Sequence, residues 1–351
     1  MIKQKNLYLP NGYFDFRAAV DDECPFAFVI GGRATGKTFG ALQYGYTDWR
    51  DTDRPFVYMR RTAKQAELVS TDVFNPFRPL NTAFGWNVQP FPITKGVYGY
   101  FDAEQLDGRS KPTGGHAAVI AALSTFSNFR GFDGSNIDLI IYDEFIKNAG
   151  EKSIKDEGES LLNVFETVNR NRELIGGKPV KLVCLSNSNA IANDIFIDLK
   201  LMGYVDFMRR HHKNQYYDYG RGIAIYDLSD SEISQRKKQT ALYRMDDGSR
   251  YSKMALDNEY EDYDSTLIRS CPLSEYKPLA SIRGLTIYTH KSDQQYYCTF
   301  HSSGKPEIYD SGEIDKTRFL RKYAYLWEAY LGERILFESL TVKKLFEDIF
   351  Y

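Results

Sequence analysis

An apolar run, Phe26–Ile30, leads directly into Gly31-Gly32-Arg33-Ala34-Thr35-Gly36-Lys37-Thr38, and a helix-like stretch follows. The octet fits Gly-x4-Gly-Lys-Ser/Thr at every required position, in the strand-to-helix setting that gives the pattern meaning. Few sequence features restrict a fold more. Glycines let backbone N–H groups turn inward around a β-phosphate, and a helix N-terminus behind them favours an anion. Lys37 suits neutralisation of β- and γ-phosphate oxygens, and the Thr38 hydroxyl suits ligation of Mg2+. All eight residues are candidate contacts for a nucleoside triphosphate.

A phosphate loop of this kind belongs to a parallel sheet covered by helices. Short continuous apolar runs, the pattern of strands buried on both faces, lie at Phe26–Ile30, Pro55–Met59, Ala117–Leu123, Ile137–Tyr142 and Val180–Leu185. Helical segments are expected at Lys37–Asp48, Ala63–Val69 and Ser160–Arg172, the last with Leu161, Leu162, Phe165 and Val168 on one face. The expected class is α/β, a P-loop NTPase of the ASCE, RecA-like kind.

The run Ile137–Tyr142 ends in Asp143 and Glu144. Beside a phosphate loop, Asp143 is expected to hold the Mg2+ shell through water and Thr38. Glu144 suits a general base that polarises the attacking water. The second carboxylate argues against a small GTPase, and no Asn-Lys-x-Asp guanine-reading pattern occurs, so ATP is the expected nucleotide. Val180–Leu185 also ends in polar residues, and Asn187 is a candidate γ-phosphate sensor at the same sheet edge.

Four arginine sites need placing. Arg60-Arg61 follow the second apolar run and should share the ligand edge. Arg130 lies in a short loop before the acidic strand. Arg170 and Arg172 are expected to close the Ser160–Arg172 helix, with Arg170 off its buried face. An arginine that projects from a nucleotide domain can reach a neighbour's γ-phosphate.

The rest of the chain has a different character. Residues 205–265 read as a linker or lid, basic at Met208–Lys213 and rich in tyrosine and glycine at Gln215–Gly222. From residue 266 a small α+β domain is expected, with strands at Gly284–His290, Gln295–His301 and Lys305–Tyr309 and helices at Lys316–Tyr330 and Thr341–Phe350. The division is therefore 1–204, 205–265 and 266–351.

Composition removes several alternatives. No repeat of 20–50 residues is visible, which disfavours solenoids and propellers. The 4 cysteines contain no Cys-x-x-Cys pair, so a disulfide scaffold or structural zinc site is not expected and a reducing cytosol is the simplest setting. No apolar run approaches the length of a membrane span, and the N-terminus leads into no apolar signal core. A net charge of −2 argues against a protein that coats nucleic acid with its whole surface.

Taken in order, FVIGGRATGK (28–37), YMRR (58–61), IDLIIYDEF (137–145), TVNRNRE (167–173) and CLSN (184–187) resemble the DNA-packaging ATPases of φ29-like tailed bacteriophages, relatives of the large terminases. The likeness covers most of residues 25–260; beyond 265 it is mainly architectural. It implies a ring motor, expected as a homopentamer, at the portal of a procapsid in the host cytoplasm. Such a motor uses ATP and Mg2+ to drive double-stranded DNA inward, in some cases with an adaptor RNA at the portal. The resemblance puts the family's trans-acting finger on Arg170 and a second basic contact near Arg130. It gives residues 266–351 the look of a vestigial RNase H-like nuclease. DNA gripping would fall on phosphates, with Lys64, Lys95, Arg109 and Lys111 as candidates. Two alternatives remain: a full terminase with an active nuclease, and a P-loop switch that needs no base beside the metal-binding Asp.

Overall fold

The continuous apolar runs become strands buried on both faces. The computed structural model describes residues 5–94, 96–104, 112–129, 133–147, 151–187, 193–229, 231–237, 240, 267–310 and 312–350. After a short helix α1 (Arg17–Val20) come β1 (Phe26–Ile30), α2 (Lys37–Thr52), β2 (Phe56–Arg60), α3 (Ala63–Val69) and α4 (Arg78–Phe84). Then follow β3 (Val88–Thr94), β4 (Val97–Asp102), β5 (His116–Ala122), β6 (Leu139–Asp143), α5 (Glu157–Asn169) and β7 (Lys181–Leu185). The helices α6 (Asp194–Asp198) and α7 (Met202–Arg210) precede β8 (Gln215–Asp218), β9 (Ile223–Asp227) and α8 (Glu232–Lys237).

These strands form one sheet in the order β3-β4-β5-β2-β6-β7-β1-β9-β8. β5, β2, β6, β7, β1 and β9 run parallel; β4 is antiparallel to β5 and β8 to β9. β7 stands between the phosphate-loop strand β1 and the acidic strand β6, the extra-strand arrangement expected of the ASCE class. The α2 helix lays Ala41, Leu42, Tyr46 and Trp49 into the core. From α5, Phe165 packs its ring on Phe26, with centroids 4.5 Å apart.

All five expected strands occur, and four more join them. The sequence of β3 contains Pro90 and Pro92, which speak against a strand; β3 is a sheet edge, where a missing N–H is tolerated. The stretch read as a linker or lid, 205–265, instead contributes β8 and β9 to the sheet, and β9 is buried along its whole length against β1. The helix expected at Ser160–Arg172 is shifted toward the N-terminus. It ends at Asn169, and Arg170 adopts a left-handed φ of 49°, so Arg170 and Arg172 lie beyond it. Leu161, Val164 and Val168 are its buried apolar residues, whereas Leu162 is 44% exposed.

By compactness the chain forms two units. One comprises Met1–Lys152, Ser160–Asn189 and Asn214–Asn258; the other comprises Ser153–Glu159, Ala190–Lys213 and Glu259–Tyr351. The sheet of the second unit contains β10 (Tyr276–Ile282), β11 (Leu285–His290), β12 (Tyr296–Thr299), β13 (Glu307–Tyr309) and β14 (Ile335–Phe337), in the order β13-β10-β11-β12-β14. β10, β11 and β12 are an antiparallel meander; β13 joins β10 and β14 joins β12 in parallel. The helices Glu313–Tyr323, Tyr325–Leu331 and Leu340–Phe350 complete this α+β unit. Its first strand escapes a sequence reading because Pro278 interrupts it, at a register shift between Pro278 and Ala280.

Candidate nucleotide site

Parallel strands bring their C-terminal ends to one edge, and the sequence candidates collect there. β1 delivers the phosphate loop, β6 ends at Asp143, β7 ends two residues before Asn187, and β2 ends at Arg60. Gly31 has φ +150° and Gly36 +90°. A Cβ on Gly31 would lie 2.8 Å from Leu228 Cβ, and one on Gly36 would lie 3.1 Å from Tyr13 Cβ. Both positions therefore need glycine, for conformation and for space. The Phe14 N–H donates to the Thr35 carbonyl at 2.9 Å, which ties the N-terminal segment to the loop.

Lys37 is buried at 3% exposure, at the start of α2. Its Nζ donates to the carbonyls of Gly31 (3.1 Å) and Gly32 (2.8 Å) and to Thr35 Oγ1 (3.1 Å). The ammonium is thus held in the mouth of the loop. Gly32 is buried, whereas Arg33 and Ala34 are exposed, with Ala34 at φ 60°. The Thr38 hydroxyl lies 3.1 Å from each Asp143 carboxylate oxygen. This hydroxyl and carboxylate are hard oxygen donors of the type that suits Mg2+, so the residues fit that ion.

Asp143 is almost fully buried and has three side-chain partners besides its own backbone turn. Tyr58 donates to Oδ2 at 2.9 Å, and Arg60 Nη1 donates to the same oxygen at 3.1 Å. Arg60 Nη2 pairs with Glu144 Oε2. One guanidinium therefore bridges both carboxylates and offsets their mutual repulsion. Burial works against the Arg60 charge, but Tyr58, Asp143 and Glu144 outweigh it and push the guanidinium pKa up. Burial, reinforced by Asp143, drives the Tyr58 phenol well above its ordinary pKa, so it remains a donor. Glu144 adopts a left-handed φ of 57°, which turns it away from the strand line. Asn187 Nδ2 reaches Glu144 Oε1 at 3.5 Å.

The sequence reading singles out no role for Tyr58 and puts Arg60 only at the ligand edge. The alternation along β2 could have exposed both, since residues 58 and 60 share one strand face. Arg61 points elsewhere: it is fully buried and pairs with Glu151 at 3.5 Å.

Arg170 lies at the opposite edge of the sheet. The turn after α5 sits where β6 and β7 begin, and Asn169 Oδ1 accepts from the Val180 N–H at 2.8 Å. The cleft there is lined by Arg54, Asp138, Arg170, Arg172 and Lys178, among others. Arg172 donates to Asp138 at 2.7 Å and to the Gly134 carbonyl at 2.6 Å. The Arg170 side chain is 51% exposed, with Asp133 at 4.0 Å. Of the remaining candidates, Lys64 is exposed on α3, which leaves the edge where β2 ends. Arg130, Lys95, Arg109 and Lys111 lie outside the described residues.

In the second unit the acids that a nuclease reading would have to use, Asp293, Glu307 and Asp310, are not brought together. Asp293 pairs with His290 at 3.3 Å, Glu307 is engaged by Lys322, Tyr309 and Tyr323, and the Asp310 N–H donates to Asp315. No Asp or Glu occurs within β10, β11, β12 or β14. Among the described residues no group of three or more His, Cys, Asp or Glu could hold a metal.

The chain is similar to known proteins. The family model of the podovirus DNA encapsidation protein (Gp16) matches residues 11–274. The DNA packaging protein of Bacillus phage phi29 is 30% identical over 239 residues, 66% of this chain and 61% of that protein. The DNA packaging protein of Bacillus phage PZA matches with the same identity and coverage. The matched region thus spans 61% of the length of these two relatives. A chain of the bacteriophage Phi-29 viral genome packaging motor assembly superposes with a TM-score of 0.62 at 19% identity, over 97% of this chain and 98% of that one. At that identity the likeness is one of fold.

Proposed function

Because this chain belongs to the podovirus DNA encapsidation protein (Gp16) family, we propose that it is an ATPase that drives double-stranded DNA into a preformed procapsid. The observation that carries the reading is the meeting of Thr38 with Asp143 at 3.1 Å, beside Lys37 and Glu144 on one sheet edge. A phosphate loop, a metal-binding pair and an adjacent base make a hydrolase rather than a bare binding site.

The residues divide the work. Gly31–Thr38 would wrap the β-phosphate, with Lys37 neutralising the β- and γ-oxygens. Thr38 and, through water, Asp143 would hold Mg2+, which supplies further charge neutralisation on the phosphates. Glu144 takes a proton from the attacking water, and Asn187, already in reach of Glu144, orients that carboxylate. Tyr58 and Arg60 keep Asp143 in place.

Arg170 acts on a neighbouring copy. A strand of five residues spans about 17 Å, so the edge that carries Arg170 is too far from its own phosphate loop. That separation supports a trans role and, with it, a homo-oligomeric ring, read as a pentamer. When the γ-phosphate leaves, the neighbour's Arg170 loses its partner and the interface relaxes, which would move DNA in the ring's channel. Lys64 is the described candidate for a phosphate grip on DNA. Arg130, Lys95, Arg109 and Lys111 keep their proposed roles as trans contact and DNA contacts. The portal, with or without an adaptor RNA, is the docking partner in the host cytoplasm. The second unit serves as a scaffold, with Lys316, Arg318, Arg321 and Lys322 as a basic face.

Steady-state ATPase measured with and without double-stranded DNA tests the reading. Hydrolysis that DNA stimulates is expected. Nucleotide binding without turnover would instead favour a nucleotide switch.

A further inference from the structure

Two exposed apolar surfaces of the first unit have no role in the site above. One is the turn after α5, where Leu174 and Ile175 are 83% and 85% exposed. The turn is closed by its own backbone: the Leu174 N–H donates to the Asn171 carbonyl at 3.0 Å and the Gly177 N–H to the Arg172 carbonyl at 2.9 Å. The other surface is aromatic. Phe39 and Phe84 are 37% and 44% exposed, with rings 6.0 Å apart, and Phe84 stacks on Trp86 at 4.7 Å. Phe39 follows Thr38 directly, so this face begins at the phosphate loop.

We infer that the Leu174–Ile175 turn of one copy seats on the Phe39–Phe84 face of a second copy, head to tail. The inference rests on the trans reading of Arg170. Two different patches on one chain are what a heterologous, ring-forming contact requires. Reach agrees. Four residues separate Arg170 from Leu174, at most about 14 Å of chain. An Arg170 delivered to a neighbour's γ-phosphate therefore brings Leu174 within range of the side chain next to Thr38. Charge agrees too. The cleft beside Ile175 carries Arg54, Arg170, Arg172 and Lys178, with Asp138 in its lining and Asp133 4.0 Å from Arg170, so cations are in excess. At the opposing site Arg60 already pairs with Asp143 and Glu144, so the attraction comes from the phosphates of the substrate. Like charge disfavours the turn docking on its own equivalent. Aromatic residues are enriched at the cores of such contacts.

The test is a cross-link between Ile175→Cys and Phe84→Cys. Cys24, Cys184 and Cys298 are buried, so Cys271→Ser removes the one native thiol that is not. Mild oxidation of the two single variants mixed with a slowly hydrolysed ATP analogue should give a disulfide dimer. Its yield should exceed about tenfold that of a control pair, Ile308→Cys with Phe84→Cys, since Ile308 is equally exposed at 75%. In parallel, Leu174→Asp combined with Ile175→Asp should keep its melting temperature and ATP binding. Its self-association should weaken about tenfold or more by sedimentation velocity. A cross-link no better than the control, or unchanged self-association of the Asp variant, overturns the inference. If mixed-subunit assays support Arg170 in trans while the Asp variant assembles normally, only this contact fails. If the cross-link forms while Arg170 shows no trans effect, only the finger fails.

Discussion

Arg60 is paired with Glu144 across the ends of two adjacent strands, and the same guanidinium reaches Asp143 at 3.1 Å. Asp143 is 3% exposed, so its charge depends on partners rather than on water. Arg60→Ala removes the one cation paired with it among the described contacts. Breaking one side of a buried pair typically costs about 3–5 kcal/mol, and a loss of that order is expected in chemical denaturation. Arg60→Lys, which keeps the charge but not the fork, should lose less. An Arg60→Ala protein as stable as the parent would show that Tyr58 and Thr38 suffice.

Glu144→Gln keeps the size of the side chain and removes its basicity. ATP binding should persist while hydrolysis falls by about 10²–10⁴-fold, the usual share of a general base. Single-turnover kinetics with pre-bound ATP separates the two effects. Undiminished turnover sinks the assignment.

Lys37 holds three acceptors of its own loop. Lys37→Ala should weaken Mg·ATP binding, read by titration with a fluorescent ATP analogue, because no other described side chain of the octet brings a buried cation. Retained affinity would move the phosphate contact elsewhere.

Arg170→Ala should bind ATP normally and lose stimulated turnover by on the order of 10³-fold. Mixed with Glu144→Gln subunits it should recover part of the activity, because some interfaces then pair an intact Glu144 with an intact Arg170. Mixtures that show only the sum of two inactive proteins contradict the trans role.

The second unit should not cut DNA. A two-metal nuclease needs carboxylates that hold ions about 3.5–4 Å apart, whereas Asp293 pairs with His290, Glu307 accepts from Tyr323, and among the described residues no group of three or more His, Cys, Asp or Glu could hold a metal. Supercoiled and linear DNA should survive incubation with Mg2+ or Mn2+. Metal-dependent cleavage that vanishes in Asp293→Ala or Asp310→Ala would restore the terminase alternative.

The legible part of this chain was the part where local chemistry and fold agree. Phe26–Thr38 reads as strand, loop and helix because its apolar run, glycines and lysine all suit one anion-binding turn. Asp143 and Glu144 were readable for the same reason. What stayed hidden depended on distant partners. β3 carries two prolines and is tolerated only because it is an edge. β9 looks like a fragment of a connection until β1 buries it. Arg60 reads as a charge at the ligand edge without a partner until β6 sets two carboxylates beside it. The helix end before Arg170 is hard to read because a left-handed residue other than glycine leaves little trace in sequence.

The interleaving of the two units governs how such a chain can be inherited and cut. Each unit is assembled from three separate stretches of the polypeptide, so no single scission frees either one whole. A fragment ending at residue 204 would lack β8 and β9, and β1 would lose the neighbour that pairs with all five of its residues. The strand that feeds the phosphate loop would become a bare sheet margin, open to pairing with other chains. Recombination between relatives should therefore preserve these segments as a set, and genetic shuffling at one internal junction should yield insoluble protein rather than a free-standing ATPase.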